Sequence, residues 1–419
     1  MHSLARNLSL IKPDTLCAGV DLERKENQVV VINSRAQRLA QFRFSHDEAG
    51  YGRLHERLSK LVQRHGASGV VVGMEPTNYY WKLLAADLER QQIPYRLVNA
   101  YTVRKHREGD QIDRAKDDLR DAEVIANLLR EGKFTQSQLL HGPHAALRQY
   151  AVSLTRLEGD MRRRRTIIHH SAVQLFPELG RVFRKFSGVT ALALLRRHAA
   201  ACVMREMPLT AFLASVRQQH GPRRLAMAKL CQAHALAATS IGLQEGVEAL
   251  QLDLAVQVEL LEQLEVRREQ LEQALLGTFR TLPEAPCLLS VPRLGARSAA
   301  LILAEIGDPG AFSNAQQLVK LAGVQPTPDT SGQRRSGQTP MSHQGRPRLR
   351  TVLYLSCLRM IQKGGIFAQE YAGLCVRTPH PLEKMAAIGV LMNKLLRILW
   401  ALMHQQTLYR GDMPISERL

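Results

Sequence analysis

"LCAGVDLERKENQVVVIN", residues 16–33, decides how the first part of the chain folds. Two short runs of small and β-branched apolar residues, 16–22 and 27–33, flank the polar stretch Glu23–Glu26. That pattern predicts a β-hairpin. Further on, "GVVVGMEP" (69–76) is an apolar run of the kind found in a buried strand, and it ends at an acid. The segments 49–66 and 79–92 have helical periodicity, and "PYRLVN" (94–99) reads as another strand. From Asp110 to Glu131 the pattern is helical again, with Leu119, Ala122, Ala126 and Leu129 on one stripe. The expectation is an α/β domain over residues 1–140.

Residues 141–280 read as almost wholly helical. "RLEGDMRRRRTIIHH" (156–170) carries Arg162, Arg163, Arg164 and Arg165 in succession, which a helix must splay around its circumference. His169 and His170 have no partner at ligand spacing and read as part of this basic helix. Val247, Leu250, Leu254, Gln257, Leu261, Leu264, Arg268, Leu271 and Leu275 follow alternating steps of three and four, a heptad seam with two polar interruptions. It predicts a coiled-coil middle that serves self-association, the competing arrangement being a long helix packed within its own chain.

Residues 281–419 form a third, mainly helical unit. "CLLSVPRLGARSAALILAEIG" (287–307) reads as helix, tight turn at Pro292–Gly295, helix. Such a helix-hairpin-helix can hold a DNA phosphate at its turn amides. Between two apolar helical segments lies "PDTSGQRRSGQ" (328–338), with two Ser-Gly pairs and adjacent arginines. It is either a solvated linker or a loop presenting a serine beside phosphate-binding cations.

The chain has 419 residues, 57 Lys and Arg against 38 Asp and Glu, and a net charge of +19. This excess favours a polyanionic partner, nucleic acid first. No apolar run approaches the roughly 20 residues of a spanning helix, and Met1–Leu10 lacks the apolar core of a signal peptide, so no membrane partner is expected. Six scattered cysteines without a C-x-x-C pair suit a reducing cytoplasm and argue against disulfides and structural zinc.

Four acids stand where a metal site would want them. Asp21 and Glu75 end two strands, and Asp118 and Asp121 lie three apart on one helix face. Converging there, they suit Mg²⁺, a hard cation that takes carboxylate and phosphate oxygens. Two ions about 4 Å apart would clamp both oxygens of a phosphodiester exchange.

"GVDL", "GMEPTNYYWKLLAADL", "VNAYTVRKHREG" and "AKDDLRDAEVIANLL", in that order, resemble the DEDD-type insertion-sequence transposases, also described as bridge-RNA-guided serine recombinases. "SVPRLGARSAALILAEIGDPGAF", "LAGVQPTPDTSG" and "GRPRLRTVLYLS" are similar to that family's transposase domain. The resemblance runs from about residue 16 to 405 and is weakest in the middle.

It implies an RNase H-like (resolvase-like) first domain, with Asp21, Glu75, Asp118 and Asp121 as ligands of Mg²⁺ or Mn²⁺. It also implies Ser331, rather than Ser336, as the nucleophile, following "GVQP" at the family's distance. The partners implied are DNA (element ends and target), a guide RNA and further copies of the chain as a dimer or tetramer, in a prokaryotic cytoplasm at the nucleoid. Arg334, Arg335, Arg346, Arg348, Arg350, Arg104, Lys105, Lys116 and Arg162–Arg165 are the expected nucleic-acid contacts.

Departures from the family pattern are Asp117 where Thr is usual, Arg293 in place of a turn Gly, His343 and Arg346 in place of Lys and Asn, and Ala100 in place of Pro. Asp117 thus competes with Asp118 as third ligand, although the spacing of three to Asp121 favours Asp118. Two other functions compete: a structure-specific nuclease that uses the acids with water, and a non-catalytic nucleic-acid-binding relic.

Overall fold

The computed structural model describes residues 7–76, 79–110, 118–135, 139–220, 224–327, 330–331, 334–335 and 340–410, with the backbone alone at 107–110, 118, 219–220, 330–331 and 334–335. The chain divides into two compact units, Met1–His141 and Gly142–Leu419.

In the first unit the chain runs β1 (Leu16–Asp21), β2 (Glu26–Ile32), β3 (Arg38–Ser45), α1 (Glu48–Arg64), β4 (Val70–Met74), α2 (Tyr80–Arg90), β5 (Tyr95–Leu97), α3 (Ala100–Asp110) and α4 (Asp118–Arg130). The sheet order is β3-β2-β1-β4-β5. β1, β2 and β3 are antiparallel neighbours, whereas β1, β4 and β5 run parallel. Both faces of β1 are covered, and its residues alternate between them. Leu16, Ala18 and Val20 join the apolar cluster that holds Leu54 and Leu58 of α1 and Leu84 and Leu88 of α2. Cys17 belongs to the cluster of α4, with Ala122, Ile125, Ala126 and Leu129. The burial of the thiol pushes the pKa of Cys17 up to about 11.

Gly19 shows how closely α4 lies on the sheet. A Cβ there would come within 2.0 Å of the Ala122 carbonyl oxygen and 2.5 Å of the Ala126 nitrogen. At Gly73 of β4 a Cβ would come within 2.5 Å of the Leu129 side chain. The helical stripe expected from the sequence is the docking face: Ala122, Ala126 and Leu129 are fully buried.

Strand β3, "RLAQFRFS", is an addition to the sequence reading. Phe42 and Phe44 are buried while Arg43 between them is exposed, an alternation short enough to have been overlooked.

The second unit contains α5 (Gly142–Leu175), α6 (Leu179–Val182), α7 (Val189–His198), α8 (Ala201–Met204), α9 (Leu209–His220), α10 (Met227–Ala237), α11 (Val247–Arg280), α12 (Glu284–Leu289), α13 (Ala296–Ile306) and α14 (Ala315–Ala322). After the two-residue strands β6 (Thr330–Ser331) and β7 (Arg334–Arg335) come α15 (Pro347–Gln362), α16 (Ile366–Val376) and α17 (Lys384–Gln405). The long helices α5 and α11 are antiparallel partners. Leu147, Ala151 and Leu154 meet Leu275 and Phe279 in one apolar cluster, and Met161 and Ile168 meet Leu254, Val258 and Leu261 in another. The two clusters share this helix pair, so residues 142–280 and 281–419 stand in one unit.

The pairing corrects the expected use of the heptad seam. Leu254, Leu261 and Leu275 are fully buried against the chain's own α5, and Gln257 accepts a 2.6 Å hydrogen bond from Arg164. The seam therefore closes an intrachain helix pair, the arrangement that competed with self-association.

A second correction concerns α17. At 22 residues it is long and apolar enough to cross a membrane by length and composition, which the sequence reading did not anticipate. Here it is a core helix: Leu391, Leu395, Leu396 and Leu399 are fully buried, Lys394 pairs with Glu370, and Arg397 donates to Gln316.

At the starts of α5 and α12, His144 faces the buried Glu284 at 3.5 Å. The Glu284 carboxylate raises the His144 pKa above 6.5 against the opposing effect of burial. Burial pushes the Glu284 carboxyl up, but His144 outweighs it and holds the group below 4.5.

Two outcomes are expected. Gly19→Ala destabilises the chain by about 3 kcal/mol, because backbone and not a flexible side chain blocks the added methyl; urea denaturation of the full chain measures it. The His144–Glu284 pair contributes most between pH 4.5 and 6.5, the ordinary values of its two members. Its contribution falls as pH rises through the raised His144 pKa or drops through the lowered Glu284 pKa. His144→Gln should flatten the alkaline limb of a plot of urea midpoint against pH.

Candidate active site

The parallel register of β1 and β4 ends with Val20 opposite Met74. One residue further along each strand stand Asp21 and Glu75, both partly exposed. They share the carboxyl end of two adjacent parallel strands, the edge where ligands of such sheets collect. Asp121 lies in the first turn of α4, immediately before the Ala122 that presses on Gly19, and is 7% exposed. Close packing of helix on strand thus brings a third acid to the end of β1 that carries Asp21. Each of Asp21, Glu75 and Asp121 takes part in polar or electrostatic contacts. Asp118 begins α4, and its side chain lies outside the described residues, as do Lys116 and Asp117.

Carboxylate oxygens at this edge are the donors that a hard divalent cation requires. Among the described residues, however, no three His, Cys, Asp or Glu side chains form a group that could hold a metal ion. Donor type and placement fit the ion; ligating distances are not met among these residues.

The same end of the sheet carries basic and aromatic groups. Asn99 accepts a 2.9 Å hydrogen bond from the Tyr101 amide at the start of α3, and the Lys105 ammonium stands 5.9 Å from the centre of the Tyr101 ring. Arg104, Lys105 and Tyr101 are exposed. To one side, His46, Tyr51, His55, Leu83, Asp87 and Arg90 line a cleft of about 630 Å³ between α1 and α2. Asp87 there is bound by His55 at 2.7 Å and Arg90 at 3.1 Å. Burial first, and then Asp87, push the Tyr51 pKa up to about 12. Nothing in the sequence pattern singled out this cluster.

In the second unit, the described residues between 325 and 342 pair in antiparallel fashion. Thr327 N donates to the Pro340 carbonyl at 2.9 Å, Pro326 bridges to Met341, and Thr330 and Ser331 pair with Arg335 and Arg334. Ser331 occupies the last rung, opposite Arg334, with only positions 332 and 333 between them. Ser336 lies outside the described residues.

The expected nucleic-acid contacts separate into groups. Arg162, Arg163 and Arg165 are exposed, as a helix must splay them. Arg163 pairs with Asp160 and Arg165 with Glu265, while Arg164 turns in toward Gln257. Arg348 is half-buried.

Arg346 and Arg350, both half-buried, hold backbone carbonyls of their own unit with their guanidiniums. Arg350 donates to Ala322 and His343, and Arg346 to Glu305. Burial and the neighbouring Arg148 push the Arg346 pKa down to about 10 against the raising effect of Glu305. Missed altogether was Glu305, 3% exposed and bound to Arg148 at 2.8 Å. A single acid inside the apolar run "SAALILAEIG" was the available signal.

The departure at Arg293 also has a physical consequence. In the turn between α12 and α13 this residue adopts a left-handed conformation, φ 66, which a glycine takes without strain.

Two family profiles match the chain. One, described as "Transposase" and of the DEDD type of IS110, covers residues 18–177. The other, described as "Transposase IS116/IS110/IS902 family", covers residues 285–372. Together they span more than half of the sequence. Similar proteins include the "Insertion element IS900 uncharacterized 42 kDa protein" of Mycobacterium paratuberculosis, 26% identical over 94% of this chain and 96% of the relative. The "Mini-circle putative transposase for IS117" of Streptomyces coelicolor is 25% identical over 76% and 78% respectively. Among solved structures, 27% of the chain aligns with 90% of T. thermophilus RuvC bound to a Holliday junction substrate. The TM-score of 0.21 and 15% identity are too slight to bear on the fold.

Arg293→Gly is expected to stabilise the chain by roughly 0.5 to 1 kcal/mol, the relieved strain exceeding the added unfolded-state freedom of glycine. The urea midpoint measures it.

Proposed function

We propose that this chain, which belongs to the IS110/IS116 family of insertion-element transposases, cuts and rejoins DNA through a covalent serine intermediate. The observation that carries this reading is the placement of Asp21, Glu75 and Asp121 at one end of the sheet. With it goes the placement of Ser331 at the tip of a hairpin in the other unit. The mixed sheet with acids at its parallel strand ends supports an RNase H-like first domain.

In this mechanism the Ser331 hydroxyl attacks a backbone phosphorus. An Oγ–P bond forms, the P–O3′ bond breaks, and the proton lost by the serine is balanced by the one gained at the departing 3′ oxygen. The DNA is left with a free 3′-hydroxyl and a 5′ end linked to the protein. Attack by an exchanged 3′-hydroxyl reverses the step and restores the serine, so the phosphodiester is never hydrolysed.

A serine hydroxyl is a weak nucleophile at its ordinary pKa and needs activation. Asp21, Glu75, Asp118 and Asp121 would hold the divalent ions, Mg²⁺ or Mn²⁺, which supply charge neutralisation at the phosphate and lower the pKa of a bound hydroxyl. Arg334, opposite Ser331 in the register, and Arg335 would supply the cations that bind the phosphate. Arg104 and Lys105 in the first unit, and Arg162 and the turn before α13 in the second, would add basic contacts to the nucleic acid. A guide RNA would choose the target, and a dimer or tetramer would bring acids and serines of different copies together.

The competing reading, a nuclease that uses the acids with water, leaves the hairpin without a role. Covalent capture separates the two. The full chain, with its co-purifying RNA, is incubated with labelled element-end DNA and Mg²⁺ and resolved under denaturing conditions. A 5′-linked adduct is expected from wild type and Ser336→Ala, and none from Ser331→Ala, Asp121→Asn or wild type with chelator. Cut DNA without an adduct, unaffected by Ser331→Ala, would establish the water-using nuclease instead.

A further inference from the structure

The base of the serine hairpin is held by an arrangement that the cutting chemistry by itself does not call for. Gly323 ends α14 in a left-handed conformation, φ 67. Gly345 on the returning strand lies against it, so that a Cβ on Gly345 would come within 2.5 Å of the Gly323 nitrogen and 2.6 Å of the Leu321 carbonyl oxygen. The two segments are bonded at this crossing. Arg346 N donates to Leu321 at 2.7 Å, His343 N to Gly323 at 3.1 Å and Ser342 N to Gln325 at 2.9 Å.

Side chains then tie the crossing to the body of the unit. Arg350 donates to the carbonyls of Ala322 at 2.9 Å and His343 at 3.4 Å. Arg346 donates to the carbonyl of Glu305, near the end of α13. Arg148, reaching across from α5, donates to the carbonyls of Ala304 at 3.1 Å and Glu305 at 3.2 Å, and to the Glu305 carboxylate at 2.8 Å. The Glu305 side chain is buried, and its Oε1 makes no hydrogen bond among the described residues.

A buried carboxylate bound by one guanidinium, with a second on the carbonyl of the same residue, is costly to desolvate, and well-packed apolar residues commonly give equal or greater stability. What the group does supply is fixed geometry. Ser331 lies eight positions beyond Gly323, so an extended chain carries it up to roughly 26 Å from the crossing. On an arm of that length a tilt of about 5° displaces the tip by about 2 Å, and misplacement by about 1 Å can cost on the order of a hundredfold in rate.

We propose that Glu305, Arg148 and Arg346, together with the Gly323–Gly345 crossing, are a positioning device that sets the direction of the arm bearing Ser331. This inference rests on the reading of Ser331 as the nucleophile. None of these residues touches the reacting atoms; they act by holding the arm at its base.

The test compares full-length wild type with Arg346→Ala, Arg346→Lys, Gly345→Ala and Ser331→Ala. The rate of adduct formation is followed at saturating labelled element-end duplex. DNA affinity, thermal midpoint and the rate of trypsin cleavage after Arg334 and Arg335, identified by mass spectrometry, are measured alongside. Arg346→Ala and Gly345→Ala are expected to slow adduct formation on the order of a hundredfold with DNA affinity unchanged. Both should speed cleavage within the hairpin, and Arg346→Lys should recover part of the rate.

Wild-type adduct rates in both variants overturn the inference. So does a rate loss matched by an equal loss of DNA affinity and a lowered midpoint, which marks a general structural role. If Ser331→Ala still forms the adduct, it is the nucleophile assignment that falls. Trypsin cleavage then decides the clamp alone, and unchanged cleavage in both variants overturns it too.

Discussion

The first unit depends on a contact in which a side chain is missing. The backbone of α4 lies so close to β1 that the Ala122 carbonyl occupies the space a methyl group on Gly19 would need. Close packing of this kind is rigid, since interiors leave little free volume to absorb a shift. Asp121 is the neighbour of Ala122 in sequence, so its position relative to the end of β1 is set by that contact. Gly73 does the same for the lower part of the helix, against Leu129. The arrangement of the acids is therefore a consequence of helix-on-sheet packing, and it can be no more accurate than that packing.

The positive charge is put to two different uses. Part of it works inside the protein. Arg148 and Arg346 surround the buried Glu305, Arg350 holds the Ala322 carbonyl, and Arg164 and Arg165 connect α5 to α11 through Gln257 and Glu265. These guanidiniums present planar arrays of donors to carbonyl and carboxylate groups, a task for which arginine suits better than lysine. The remainder makes the excess of +19 a property of the surface and of the partner. A basic motif thus does not announce which use it serves. "GRPRLR" looks like a phosphate-binding run, and two of its arginines also hold backbone carbonyls of their own unit.

The same distinction explains how much of the structure was legible beforehand. Strands β1, β2, β4 and β5 and the stripe on α4 were readable, because burial imposes a short period or an apolar run on consecutive residues. The short alternation around Phe42 and Phe44 carried the same kind of signal too weakly. Asp21, Glu75 and Asp121 stood out by their places at element ends. What a pattern cannot specify is the partner. The seam from Val247 to Leu275 states that α11 has an apolar face and leaves open whether a second chain or α5 covers it. Glu305 and Gly19 are legible only once the element packed against each is known, since an isolated acid and an isolated glycine have many meanings.

The division into units bears on the chemistry proposed for the chain. The acids belong to Met1–His141 and the serine hairpin to Gly142–Leu419. A metal-assisted nucleophile is hazardous if it is permanently assembled, because any phosphodiester that enters could be cut. When its two halves sit on separate bodies, reaction requires that a substrate hold both at once. In the proposed scheme, binding energy from the length of the nucleic acid would go into assembling the site, and a mismatched or short duplex would fail for lack of it. Such a scheme demands that each half be rigid within itself, since the substrate can align two bodies but cannot also order a loose loop. Gly19 beneath α4 meets that demand for the acids. For the serine the corresponding place is the crossing at Gly323 and Gly345, where the hairpin leaves the helical core.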